Sequence, residues 1–311
     1  MIGGKFDEVR KIILVGIAYF SDSYPECGEL VFKGGSALEM FYNHPRHSRD
    51  MDFSMSNVIS ENKLEECKRW LEQTLEETFS EQNFKITRFR WDEQTPHKRH
   101  EGIPFFRGHK IKVDVIDIQK YEMLKNKYRN KTSSFERALN DPNNIIKCEI
   151  QISEMEYTEP SENRIVDDIV IKVYSPVMIV SEKLRAIFQH TPSYYLQILG
   201  IPKVKKENLS PRVRDFYDIY KICERYKIDW KDQINLGILA EIFKVKKVPL
   251  DFLKNLDTDE IRKIHANKDE YQKLKDTVKE REIKEFDFYY NYVVKLAREI
   301  WDNIVSILDH N

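Results

Sequence analysis

Lys33-Gly34-Gly35-Ser36-Ala37-Leu38-Glu39-Met40-Phe41-Tyr42 leads into Arg46-His47-Ser48-Arg49-Asp50-Met51-Asp52-Phe53, with thirteen residues separating Ser36 from Asp50. Two glycines allow a backbone turn that a side chain would block. The amide N–H groups at the start of the following helix can then face a triphosphate, with Lys33 and the Ser36 hydroxyl beside them. Asp50-x-Asp52 lies among Met51, Phe53 and Met55, which suits a strand. A period of two puts both carboxylates on one face, where they can hold Mg²⁺ or Mn²⁺. A Gly-Gly-Ser turn alone is usually a plain strand-to-helix connection, and an Asp-x-Asp pair alone a solvated strand face. Turn, short helix, polar connection and acidic strand in this order instead predict a phosphate cradle joined to a metal pair.

The 311 residues are about twice an ordinary domain, so two domains with ample core are expected. Charged residues make up 33% of the chain yet the net charge is −1, so a polyanionic partner must be met by local basic patches. Cys27, Cys67, Cys148 and Cys223 are scattered without a Cys-x-x-Cys pair, which reads as reduced thiols in a cytoplasmic protein. No apolar run reaches membrane-spanning length; the nearest, residues 12–20, reads as core helix. No membrane association is expected.

Periodicity predicts helices over residues 6–21, 37–43 and 62–79, and strands over 29–33, 49–55, 84–91, 108–118, 145–152 and 165–174. After Tyr174 the pattern becomes purely helical, opened by Ser175 as N-cap and Pro176 as first helical residue. Helices are expected over 211–226, 233–245, 248–256, 257–278 and 283–308. The fold class is therefore α+β: an N-terminal domain of mixed sheet and flanking helices over 1–175, then a helical bundle over 176–311.

A third carboxylate would complete a two-metal site, and Asp114 is the candidate if its strand pairs beside that of Asp50. Lys183 lies at the edge of the apolar stripe of Val177, Val180, Leu184, Ile187 and Phe188, so its stem can pack while its ammonium reaches a cleft. Asp215 lies similarly at the edge of its helix's stripe, and Asp218 further round, toward solvent. Arg46 through its guanidinium and Ser48 through its hydroxyl are placed to position a triphosphate. The eight histidines show no metal-ligand spacing, so zinc is not expected. Two segments, 98–112 and 203–214, each carry a net charge of +4. The first holds Lys98, Arg99, Arg107, Lys110 and Lys112; the second, expected as an exposed loop, holds Lys203, Lys205, Lys206, Arg212 and Arg214. A basic loop beside a phosphate-binding site suits RNA as a partner.

On Gly34-Gly35-Ser36, Arg46-x-Ser48-x-Asp50-x-Asp52, Ser181-Glu182-Lys183-Leu184-Arg185-Ala186 and Arg212-Val213-Arg214-Asp215-Phe216-Tyr217-Asp218, the chain resembles the AbiEii/AbiGii-type abortive-infection toxins, which have the polymerase-β-like nucleotidyltransferase fold. The resemblance spans residues 33–218; Arg214 stands where the family usually has lysine. It implies metal-dependent transfer of a nucleoside monophosphate from an NTP to an acceptor hydroxyl, with release of pyrophosphate. It further implies that Lys183 binds phosphate oxygens and that Asp215 fixes Lys183 or a nucleotide group, both brought to the cleft by the helical domain. RNA, with a tRNA 3′ end as one candidate, is the leading acceptor it implies, growth inhibition the biological role, and a separate antitoxin the partner. The alternatives are a protein or small-molecule hydroxyl as acceptor, or a non-catalytic nucleotide-binding or interaction module.

Overall fold

The computed structural model describes residues 2–94, 106–205, 209–279 and 283–308. The chain forms two compact units: Met1–Ala37 with Arg49–Val173, and Leu38–Ser48 with Tyr174–Asn311. The second unit thus includes an eleven-residue piece from within the first third of the sequence, which the expected division at 175/176 did not contain.

The first unit opens with α1 (Ile2–Ser23) and a 3₁₀ turn (Pro25–Cys27), followed by β1 (Val31–Lys33), the start of α2 (Gly34–Tyr42) and β2 (Met51–Ser54). Then come α3 (Glu61–Glu81), β3 (Phe84–Gln94), β4 (Gly108–Asp117), α4 (Ile118–Lys127), α5 (Thr132–Leu139), β5 (Ile146–Ser153), β6 (Ser161–Val166) and β7 (Ile169–Tyr174). The strands make one mixed sheet in the order β3-β4-β5-β2-β1-β7-β6. Ile111, Val113 and Val115 of β4 are fully buried, as the alternating pattern requires, and Lys112 between them is exposed.

Helix α3 buries Leu64, Cys67, Leu71, Leu75 and Phe79, a three-to-four residue stripe, and packs on α1. The helices approach closely at Gly16, where an added Cβ would sit 2.8 Å from Leu75 Cδ2. Cys27 and Cys67 are disulfide-bonded with Cα atoms 5.8 Å apart, which corrects the expectation of four free thiols. Forty residues of sequence separate them, and only the packing of the 3₁₀ turn beside α3 reveals the pair. Cys148 and Cys223 are free and buried. Helices α4 and α5 were not anticipated; they enclose a small cluster of Ile116, Leu124 and Ile145 with Tyr121 and Phe135. The single strand expected over 165–174 is two strands, β6 and β7.

The second unit holds α6 (Pro176–Gln189), α7 (Pro192–Gln197), α8 (Val213–Tyr226), α9 (Gln233–Val245), α10 (Asp259–His265), α11 (Lys268–Thr277) and α12 (Phe286–Leu308). Ser175 caps α6 by accepting from Met178 N–H, with Pro176 in the first turn. Helix α6 is buried on nearly every side, and α8 and α9 pack against it. Helix α12 buries Phe286, Tyr289, Tyr290, Val293, Leu296, Ala297 and Ile300. Its Tyr290 ring lies 5.6 Å from Phe216 of α8. Residues 250–255 are a 3₁₀ helix, and the helix expected over 257–278 is broken between α10 and α11, where Asn267 caps the second piece through Glu270 N–H.

Candidate nucleotide site

Strands β1 and β2 run antiparallel with Lys33 opposite Asp52, so the end of β1 delivers the chain directly beside that carboxylate. Gly34 follows with φ +75°, and a Cβ built on it would sit 2.4 Å from Asp52 Oδ2. Only glycine allows both the left-handed backbone and this approach. The first turn of α2 starts at the same residue, so backbone N–H groups without intrahelical partners adjoin a carboxylate.

Three neighbours differ from expectation. Ser36 is fully buried and its hydroxyl donates to the Asp50 carbonyl at 2.5 Å, so it fixes the acidic segment and does not present a hydroxyl to a triphosphate. Lys33 is also buried, its Nζ 3.9 Å from Glu156 Oε1. Asp50 is exposed and precedes β2, because that strand begins at Met51.

Asp114 is not beside Asp52. Strand β5 lies between β2 and β4, and Asp52 aligns through Gln151 with Lys110, four residues from Asp114 along β4. That offset is roughly 13 Å at the rise of a strand. Asp114 instead lies opposite Arg88 and Lys147, with Arg88 Nη1 3.7 Å from its Oδ2. Among the described residues no three His, Cys, Asp or Glu side chains are grouped as a metal site. Asp50 and Asp52, two residues apart, offer oxygen ligands alone. Such a pair suits Mg²⁺ or Mn²⁺, which are commonly held by one or two carboxylates with water and substrate phosphates supplying the rest, and it does not suit zinc.

The second unit contains a buried ionic network. Asp218, fully enclosed, accepts from Arg46 Nε at 3.0 Å and Nη2 at 2.7 Å. Lys183 Nζ lies 2.8 Å from Asp218 Oδ2 and 2.8 Å from Asp215 Oδ1. Arg212 Nε donates to Asp215 Oδ2 at 2.6 Å. Asp218 was expected to face solvent; α8 is buried over more than one stripe, so that position is interior. Arg46 was expected to offer its guanidinium to a triphosphate, and that group is instead closed on Asp218, with Nη1 donating to the His47 carbonyl. Ser48 N–H donates to Glu39 Oε2.

The electrostatics follow. Burial alone would lower the Lys183 pKa, but Asp215 and Asp218 outweigh it and raise it above the ordinary value. Burial would raise Asp218, yet Arg46, Lys183 and His44 hold it far below the usual carboxylate range; Arg212 and Lys183 likewise depress Asp215. Burial pushes His44 down to about 4 against the opposing pull of Asp218, and His265, whose Nδ1 accepts from Arg212 N–H, down to about 3.

Of the basic segments, Lys203 and Lys205 are exposed, while Lys206, Lys98 and Arg99 lie outside the described residues. Arg214 reaches Glu270 at 4.0 Å, and Lys110 reaches Glu149 at 2.5 Å. Among the described residues no helix is long and apolar enough to cross a membrane.

Residues 22–292 match the family model described as nucleotidyl transferase AbiEii toxin, type IV toxin–antitoxin system. JHP933 from Helicobacter pylori is a similar solved structure, with a TM-score of 0.49 at 13% identity, covering 98% of this chain and 94% of that one. Another is a candidate nucleotidyltransferase from H. pylori, with a TM-score of 0.48 at 13% identity, covering 97% of this chain and 96% of that one. No curated protein matches the sequence.

Proposed function

Because the chain belongs to the AbiEii nucleotidyl transferase toxin family of type IV toxin–antitoxin systems, we propose that it moves a nucleoside monophosphate from an NTP to a hydroxyl of RNA. The observation that carries the reading is the approach of Gly34 to Asp52, which sets a helix start against a carboxylate. Backbone N–H groups of α2 bind phosphate oxygens, and Ser36 holds the Asp50 segment by its carbonyl. Asp50 and Asp52 would hold Mg²⁺ or Mn²⁺, which when bound offsets the charge of the triphosphate. In the second unit, Lys183 would offer a protonated ammonium to phosphate oxygens, as the family resemblance implies, and Asp215, whose Oδ1 accepts from it at 2.8 Å, orients it. The acceptor hydroxyl oxygen attacks the α-phosphorus and gives up its proton to water, the bond from that phosphorus to the bridging oxygen breaks, and pyrophosphate leaves.

RNA as acceptor is supported by the basic segment over 203–214. A separate antitoxin is the protein partner that this family implies. The test is incubation of the pure protein with labelled NTPs, Mg²⁺ and total RNA. Label is expected in RNA, and in none of the fractions with Asp52→Ala. Label entering only protein removes RNA from the proposal, and nucleotide binding without any turnover overturns transfer itself.

A further inference from the structure

We infer that Asp218, clamped by Arg46, is a positioning residue that aims the Lys183 ammonium at the nucleotide's phosphates, an assignment that rests on the nucleotidyltransferase reading and extends it to two residues outside it. A lysine ammonium is a compact charge on a flexible four-carbon stem, so a phosphate-binding lysine must be steered. It has three N–H donors. Two of those directions are taken by Asp215 and Asp218, each at 2.8 Å, which fixes the third.

Asp218 is itself held from several sides. Both its oxygens are engaged by Arg46, and the segment bearing Arg46 is pinned through its backbone: His47 N–H donates to the Thr277 carbonyl at 2.9 Å and Lys279 N–H to the Pro45 carbonyl at 3.0 Å. His44 completes the enclosure. Its Nδ1 accepts from Arg46 N–H, so Nε2 carries the proton and faces Asp218 at 3.4 Å. Neutral in this state, it adds no charge.

Stability is a poor explanation for such a cluster. Desolvating several charges costs as much as their attraction returns, and apolar side chains of similar volume often serve a core as well or better. The charge balance points the same way. Arg46, Lys183 and Arg212 face Asp215 and Asp218, leaving a surplus of one positive charge at a lysine that is 8% exposed, a condition suited to a phosphate oxygen. Buried ionisable groups with displaced pKa values concentrate at functional sites for this reason.

The experiment compares wild type, Asp218→Asn, Arg46→Lys and Lys183→Ala in NTP affinity, kcat, KM and melting temperature from pH 7 to about 10, below the ordinary lysine value. Asp218→Asn should raise KM for NTP and lower kcat/KM by about 10- to 100-fold, the scale of a misplaced catalytic contact. Its activity should also decline toward the alkaline end where wild type stays flat, because Lys183 has lost one of the two carboxylates that retain its proton. Asp215, Arg46, Arg212, His44 and His265 are the other charged or titratable groups around it; the substitution takes a carboxylate partner from Arg46 and His44 but leaves Arg46 charged and His44 neutral across this pH range. Arg46→Lys keeps the buried charge and should show a smaller rise in KM. If Asp218→Asn does not fold cooperatively, Arg46→Lys decides: an unchanged KM and pH profile overturns the positioning role. Normal kinetics and a flat profile in a folded Asp218→Asn, with Lys183→Ala inactive, overturn it while the reading of Lys183 stands. Full nucleotide affinity and turnover in Lys183→Ala overturn that reading, and this inference with it.

Discussion

Gly34 is the residue at which sequence and chemistry meet most tightly. Alanine there would need φ +75° and would place its Cβ 2.4 Å from Asp52 Oδ2, so either the turn or the carboxylate must move. We expect Gly34→Ala to cost about 1–3 kcal/mol of stability, the usual range for strained backbone, and to reduce nucleotide transfer by more than the stability change explains. Thermal melts beside turnover at a temperature where the variant is folded measure both. Asp50→Ala and Asp52→Ala should abolish transfer yet melt normally without divalent cation, since neither side chain belongs to the core. Near-normal Mg²⁺-dependent turnover in either variant would remove the metal assignment. Ser36→Ala differs: losing its bond to the Asp50 carbonyl should cost about 1 kcal/mol, and turnover should fall through a loosened acidic segment.

At the scale of elements, the long periodic helices carry their own instructions. The stripe of α3 is wholly buried, and Leu71→Ala should destabilise by about 2–5 kcal/mol while leaving KM unchanged in the folded fraction, as denaturant melts and kinetics can show. That stripe, the Ser175–Pro176 cap, α9 and the aromatic face of α12 were all legible in the sequence, because each is a local pattern of apolar spacing or capping chemistry. The Gly34–Asp52 pairing was legible in outline, since a turn, a short helix and an acidic strand in that order have few ways to close. Elements whose meaning depends on partners were not legible. Asp114 was assigned by the assumption that two strands adjoin, and β5, later in the chain, separates them. Asp218 was placed by a helical wheel that assumed one buried face, whereas α8 is covered on several. The joining of Cys27 to Cys67 likewise arises from packing between segments forty residues apart, while α4 and α5 are short helices that bury only a small local cluster, too few apolar positions to stand out as a period.

For the whole molecule, the buried histidines set the response to acid. His44 and His265 have folded values near 4 and 3, below the ordinary 6.5, so the unfolded chain binds more protons as pH falls below 6.5. Stability should therefore decline from about pH 6.5 down to those values. Asp215 and Asp218, depressed below 3.8, add a second loss at still lower pH, because their contribution is present above the unfolded value and disappears below it. A melting temperature that falls by several degrees between pH 7 and 4, less so in His44→Asn or His265→Asn, is the expected record. A melting curve flat over that range would contradict it. Neutralising Lys203, Lys205 and Lys206 together should weaken RNA binding and flatten its log–log salt dependence by roughly two, while NTP affinity stays unchanged. An unmoved salt slope would mark that segment as solvated surface.

The eleven residues that the second unit takes from between Ala37 and Arg49 also constrain inheritance. A gene truncated to begin at codon 176 would encode Asp218 without Arg46, and a buried carboxylate deprived of its guanidinium costs about 3–5 kcal/mol. Recombination at that junction would therefore deliver a crippled module, and the helical unit cannot be lent to another protein by end-to-end fusion. The two units are expected to descend together, losing or keeping Arg46 and Asp218 as a pair.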